Sequence, residues 1–238
     1  MQDINKIGRK MKTLKIFIGY DPKEAVAFHV LSHSLLERSS KPISIVPINL
    51  RNLKNLYSRQ HDQRQSNEFS FSRFLVPYLC NYEGIGVYMD CDMLALGDIS
   101  TVLNDIDEKH AVSVVKHDYE SKVKVKYLGN KQYSYPRKNW SSFIVWNCAH
   151  PSNNAVNPDF IGEADAATLH RFLWLKDEEI GELSVKWNWL VGEYDNPTED
   201  IKVLHWTLGG PYFDDYSNTE FSDEWRKEFE SMTFCKQL

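Results

Sequence analysis

The chain has 238 residues, of which 42% are hydrophobic and 13% aromatic, enough for a domain-sized core and too much for a disordered polymer. Its formal net charge of −5 and pI near 5.9 count against nucleic acid as the main partner, because duplex binding needs a broad cationic face. No apolar run reaches the roughly 20 residues that cross a bilayer, and Cys80, Cys91, Cys148 and Cys235 lack the close spacings of zinc or redox sites. Without a hydrophobic leader, they read as free thiols of a cytoplasmic protein.

Residues 1–12 are polar and basic and read as a disordered lead-in, with Met11 an alternative start. Lys15 to Gly19 then forms a strand, and Tyr20 and Asp21 follow at its carboxyl end. Asp21 is placed to cap a helix that begins at Pro22, with Glu24 completing a capping box. Apolar residues recur at helical spacing from Ala25 to Leu36, and Ile43 to Ile48 is a second strand. A βαβ opening favours a parallel sheet with a right-handed crossover, whose ligands bind beyond the carboxyl ends of the strands. Phe69 to Leu79, interrupted by Pro77, suits a further helix. Later strands are expected over Ala111 to Lys116, Phe143 to Asn147 and Ile201 to Leu204. The alternation implies an α/β sandwich.

The strand between Val87 and Met93 ends in Asp90-Cys91-Asp92. Side chains alternate along a strand, so two carboxylates at its exit point the same way. They suit a hard divalent cation that keeps positions open for phosphate oxygens, the layout of a nucleotide-sugar site. The chain contains a control, Asp105-Ile106-Asp107, which has no apolar strand before it and reads as surface charge. Gly84-Ile85-Gly86 precedes a strand where a dinucleotide fingerprint must follow one, and no Walker lysine loop occurs. A dehydrogenase or a P-loop enzyme is disfavoured. Lys122, Lys124 and Lys126 share one face of an expected strand, with Lys131, Arg137 and Lys138 beyond, interleaved with Tyr133 and Tyr135. This is either a solvated face or a site for an anionic acceptor or a diphosphate.

The order of the segments is the specific signal. Ile16 to Asp21, Ser70-Phe71-Ser72-Arg73, Tyr88 to Asp92, Asn139 to Asn147, Lys186-Trp187-Asn188 and His205 to Tyr212 together resemble glycosyltransferase family eight, retaining transferases of the GT-A fold. The resemblance spans about residues 15 to 215. It implies a single GT-A-type, Rossmann-like α/β domain over 13–238, with a mainly parallel central sheet flanked by helices. It also implies transfer of a hexose-type sugar from a UDP-sugar to a hydroxyl acceptor, which could be a glycan, a lipid-linked sugar or a small molecule. Asp90, Asp92 and His205 would hold Mn²⁺ or Mg²⁺. Gly19, Tyr20 and Asp21 would hold the base and ribose, and Arg73 the diphosphate or sugar. Trp140, Ser141 and Ser142 stand where the family has Asn-Ala-Gly at its sugar-binding strand, and Trp187 and Asn188 form its Trp-Asn segment. The family's terminal lysine is replaced by Gly209-Gly210, whose backbone N–H groups offer another phosphate cradle. Its Asp-Gln acceptor pair has no direct counterpart. His170 and Arg171 are nearest by order, with Asp177 next, and these are the candidate catalytic residues. Asp21 as an N-cap, Arg73 as an ion pair and His205 as a core histidine remain open readings, and an oligomer is compatible with all of them. A nucleotidyltransferase and a non-catalytic nucleotide-sugar-binding protein are the functional alternatives.

Overall fold

The computed structural model of the protein describes residues 13–60, 65, 67–119, 121, 123, 125–129, 136–195 and 200–234. The expected lead-in over 1–12 lies outside them, as do Lys122, Lys124, Lys131, Tyr133, Tyr135 and Cys235. The first strand, β1 (Leu14–Tyr20), is buried at every position but Lys15 and Tyr20, as expected for a strand covered on both faces. Asp21 does cap the next turn, but Pro22–Glu24 is a 3₁₀ turn and α1 begins at Ala25 and runs to Arg38. Both oxygens of Asp21 accept backbone N–H groups, Oδ1 from Lys23 at 2.9 Å and Oδ2 from Glu68 at 3.0 Å, so it also ties the 67–70 turn to β1. The capping box does not form, because the Glu24 carboxylate turns inward.

The strand β2 (Ile43–Asn49) pairs in parallel with β1 from Leu14↔Ile43 to Tyr20↔Asn49. It lies at the sheet edge, where Pro47 removes a donor that no neighbour needs. Instead of one helix, residues 69–79 form a turn, a 3₁₀ segment over Ser72–Leu75 and a single turn of helix, α2 (Val76–Leu79). Phe69 to Val76 is buried throughout, so the apolar spacing records burial on every side and no helical face. Next come β3 (Ile85–Met89), β4 (Met93–Ala95), β5 (Val112–Val115), β6 (Phe143–Asn147), α3 (Pro158–Glu163), α4 (Ala166–His170), β7 (Ile180–Leu183), β8 (Trp189–Leu190), β9 (Val203–His205) and α5 (Ser222–Thr233).

Six strands form the main sheet in the order β2-β1-β3-β6-β5-β7. Only β6 runs against the rest, antiparallel to both β3 and β5, so the sheet is mainly parallel. A second sheet, β4-β9-β8, is supported by its own core of Val30, Leu94, Trp189, Leu204, Trp206 and Trp225. Helix α1 serves both cores: Phe28, Leu31 and Leu35 face the main sheet, and Val30 faces the small one. The Ser34 hydroxyl, on the same helix, accepts the Ala95 N–H at 3.1 Å and pins β4 in place.

Candidate metal centre

The two aspartates sit where the chain leaves one sheet for the other. Strand β3 stops at Met89, and Asp90-Cys91-Asp92 is the bend into β4. The Asp90 N–H donates to Ser142 O at 3.0 Å, beside β6 of the main sheet, while Asp92 O accepts from Trp206 N at 2.9 Å, just after β9 of the small sheet. Because β4 and β9 are antiparallel with Met93 opposite His205, a histidine 113 positions after Asp92 arrives next to it. Ligand atoms of Asp90, Asp92 and His205 all lie within 4.8 Å of one another.

Each of the three is held in its own way. Asp90, 7% exposed, accepts from Tyr88 OH at 2.7 Å and faces Arg73 Nη1 at 3.0 Å, and the same Nη1 donates to Ser141 O at 2.9 Å. Burial pushes the Asp90 carboxyl above its usual range, against the pull of Arg73. His205, 1% exposed, has Nδ1 at 2.9 Å from the Asn188 amide oxygen, which leaves Nε2 facing Asp92 Oδ1 at 3.3 Å. Asp92 Oδ1 is buried and meets no hydrogen-bond donor among the described residues. A buried carboxylate oxygen without a donor is costly, and a cation bound by two carboxylates and an imidazole would satisfy it. The residues therefore fit a divalent metal.

A cavity of about 410 Å³ opens from this centre, within the size range of small-ligand sites. Of the residues expected from sequence, it is lined by Arg73, Asp90, Asp92, Ser142, His170, Arg171 and His205. The others lie elsewhere. Asp177, among the catalytic candidates, is 84% exposed, paired with Arg137 at 2.6 Å, and not part of the cavity lining. Trp187 is a core residue that stacks on Phe143 and donates Nε1 to Asp105 at 2.7 Å, so one member of the control pair anchors a tryptophan. Trp140 donates Nε1 to His117 O at 3.2 Å, and Ser141 Oγ meets His170 Nδ1 at 2.8 Å. Tyr20 packs edge-on against Phe28. A Cβ on Gly19 would stand 2.7 Å from Tyr88 OH, so that glycine admits the tyrosine that holds Asp90. Gly209, at φ +148°, and Gly210 lie under the rings of Tyr216 and Tyr212, a packing reason for both that has nothing to do with phosphate. His170 is held neutral, its pKa lowered to about 3 by burial and then by Arg73 and Arg59, so it offers one donor and one acceptor and carries no positive charge at neutral pH.

Sequence reasoning left out Gln65, Asn67, Ser70, Tyr127, Asn139 and Thr207, which also line the cavity. Ser70, Asn139 and Thr207 lie within the motif segments themselves, but no role there was assigned to them. Tyr127 had no such signal. Lys126, from the basic segment, lines the cavity too, near Asp92, Asp90 and Glu24, whose charges oppose the lowering of its pKa by burial.

Glu24 lies behind the centre and accepts from Tyr127 OH at 3.0 Å and Tyr212 OH at 2.7 Å. Burial, reinforced by the Asp92 charge, raises its pKa to about 8. A folded pKa above the unfolded one means the native state binds the extra proton, so this contribution is complete below about pH 4.5 and lost as pH rises to about 8. Glu24→Gln, which keeps the shape without the charge, should be more stable than the parent at pH 8 and lose that advantage towards pH 5. Urea unfolding across this range checks it, and a constant difference would mean that Glu24 does not titrate there.

The fold and the seam between its sheets define the chain as a GT-A-type glycosyltransferase fold. GlyE of Streptococcus pneumoniae TIGR4 superposes with a TM-score of 0.61 at 12% identity, over 93% of this chain and 62% of GlyE, so the chain spans less than two thirds of that relative. The galactosyltransferase LgtC, solved with donor and acceptor sugar analogues, gives 0.55 at 12% identity over 94% of this chain and 98% of its own. Mouse xyloside xylosyltransferase 1 gives 0.53 at 10% identity, over 82% and 97%. No protein-family model matches the chain. It is 45% identical over 232 residues, 95% of its length and 90% of the relative's, to Protein CDI of Arabidopsis thaliana, and it belongs to that protein's family.

Proposed function

We propose that this protein moves a hexose-type sugar from a UDP-sugar to a hydroxyl acceptor, with Asp90, Asp92 and His205 holding a divalent cation and residues 13–238 acting as one domain. The carrying observation is the convergence of those three buried side chains in the wall of the cavity, with Asp92 Oδ1 lacking a hydrogen-bond donor. A histidine among carboxylates favours Mn²⁺ over Mg²⁺. Bound there, the cation would supply Lewis-acid stabilisation of the departing nucleoside diphosphate.

The chain's own residues do the rest. Arg73 fixes Asp90 and the wall at Ser141, keeping one carboxylate aimed while substrate comes and goes. Lys126 brings positive charge to the same end of the cavity, suited to phosphate oxygens. Ser142, the neutral His170 and Arg171 line it as well and offer hydrogen bonds to sugar hydroxyls. Among the described residues that line the cavity, Asp90 and Asp92 are the only carboxylates. Both belong to the metal set, so none of the described carboxylates lining the cavity is left to form a glycosyl-enzyme ester. With retention, as the resemblance implies, this favours attack of the acceptor on the face that UDP leaves over double displacement.

Thermal unfolding with UDP, with and without Mn²⁺, tests the reading, since a ligand that binds only the native state raises its stability by mass action. UDP should raise the melting temperature by several degrees only when Mn²⁺ is present, and by less in Lys126→Gln at low salt. A rise of the same size in EDTA, or none in either condition, would remove the assignment.

A further inference from the structure

Asn188, Ser142, His117 and Tyr194 form a hydrogen-bonded chain that ends on His205. Asn188 is fully buried and does not line the cavity, although the resemblance places it with substrate. Its amide oxygen meets His205 Nδ1 at 2.9 Å, and its amide nitrogen meets Ser142 Oγ at 2.8 Å and His117 Nε2 at 3.0 Å. His117 Nδ1 in turn meets Tyr194 OH at 2.5 Å. The His117 ring lies against Tyr119 and Tyr194, and its carbonyl accepts from Trp140.

The direction of each bond follows from the one before it. An asparagine amide can turn over, so what faces His205 depends on what the other end of the amide finds. Ser142 Oγ gives its proton to Asn139 O at 2.7 Å and so offers Asn188 a lone pair, which holds the amide nitrogen at that end and directs the oxygen at His205. An oxygen can only accept, so His205 must donate from Nδ1, and its Nε2 is left with a lone pair on the side of Asp92. His117 Nε2 can accept only if the ring proton is on Nδ1, and Tyr194 OH takes that proton as a hydrogen bond.

We propose that His117 is a positioning residue: through Asn188 it sets the tautomer of His205 and so makes Nε2 a metal ligand, with Tyr194 OH supporting the Nδ1–H form of His117 by accepting from it. The inference rests on the metal reading of Asp90, Asp92 and His205. A purely structural histidine at 117 would influence stability and leave the His205 tautomer alone.

The test needs no turnover. In the metal-free parent, long-range ¹H–¹⁵N spectra of the histidine rings should show His205 with its proton on Nδ1. In His117→Phe that signal should move to the other tautomer or to a mixture, and Mn²⁺ affinity by calorimetry should fall by about 10-fold or more. His117→Gln, whose side chain offers an acceptor to Asn188 and a donor to Tyr194, should restore both. If His117→Phe does not fold, Tyr194→Phe carries the test, because losing only a hydroxyl should still mix the His205 tautomers and weaken Mn²⁺. An unchanged tautomer with Mn²⁺ affinity within about twofold of the parent, in whichever variant folds, overturns the proposal. A parent with the Nδ1–H tautomer that takes up no Mn²⁺ would instead overturn the metal reading.

Discussion

Asp92→Asn should abolish Mn²⁺-dependent UDP binding while leaving the metal-free protein at least as stable as the parent. The two halves have one cause. Asp92 is 8% exposed, and its Oδ1 meets no donor, so in the absence of an ion the fold bears an unsatisfied buried carboxylate oxygen. An asparagine removes that charge near Asp90 and Glu24, and relief of about 1 kcal/mol is the expected scale for one unsatisfied buried acceptor. It also removes one of only two anionic ligands, which should weaken Mn²⁺ beyond detection in a titration that resolves the parent. Calorimetry with UDP and Mn²⁺, beside urea unfolding in EDTA, reads both. Parent-like, metal-dependent UDP affinity in the variant would end the assignment of Asp92 as a ligand. A large loss of stability would show that the carboxylate has a structural partner.

Arg73→Met should cost about 3–5 kcal/mol in metal-free protein, the usual penalty for deleting one member of a buried ion pair and leaving its partner charged. The Arg73 side chain is 6% exposed and that of Asp90 is 10%, so the carboxylate left behind stays largely out of bulk water. The Ser141 carbonyl loses its donor in the same step. A cycle with Asp90→Asn separates the pair from the rest: because the neutral amide no longer needs the cation, the double variant should be more stable than the two single losses summed would allow. Strict additivity in urea unfolding would mean that the two side chains are coupled only in appearance.

What could be read from the residues, and what could not, divides along sequence distance. Ile16-Phe17-Ile18, the helix after Asp21 and the strand before Asp90 declare themselves within a few positions, by burial period and by a cap. His205 was reachable only through the order of motifs, since its partner Met93 lies 112 positions earlier and nothing local announces the pairing. The second sheet was not legible as such, because β4 and β8 have three and two residues, too short for any alternation to register. Phe69 to Leu79 misled for the opposite reason: a segment buried on all sides has no polar face to reveal its geometry. The capping box failed because Tyr127 and Tyr212, neither near in sequence, offered Glu24 two hydroxyls. His117 and Tyr194 carried no signal at all, because their role exists only through Asn188.

The bend at Asp90-Cys91-Asp92 has a mechanical meaning. The backbone of Asp90 is fastened beside β6 and that of Asp92 beside β9, so an ion shared between their carboxylates would span the joint between two separately cored sheets. Empty, that joint depends on α1 and on packing, and the smaller sheet can fray while the larger one stays formed. Filled, it would act as a rivet between the two halves, so Mn²⁺ should sharpen the unfolding transition of the parent and leave that of Asp92→Asn unchanged.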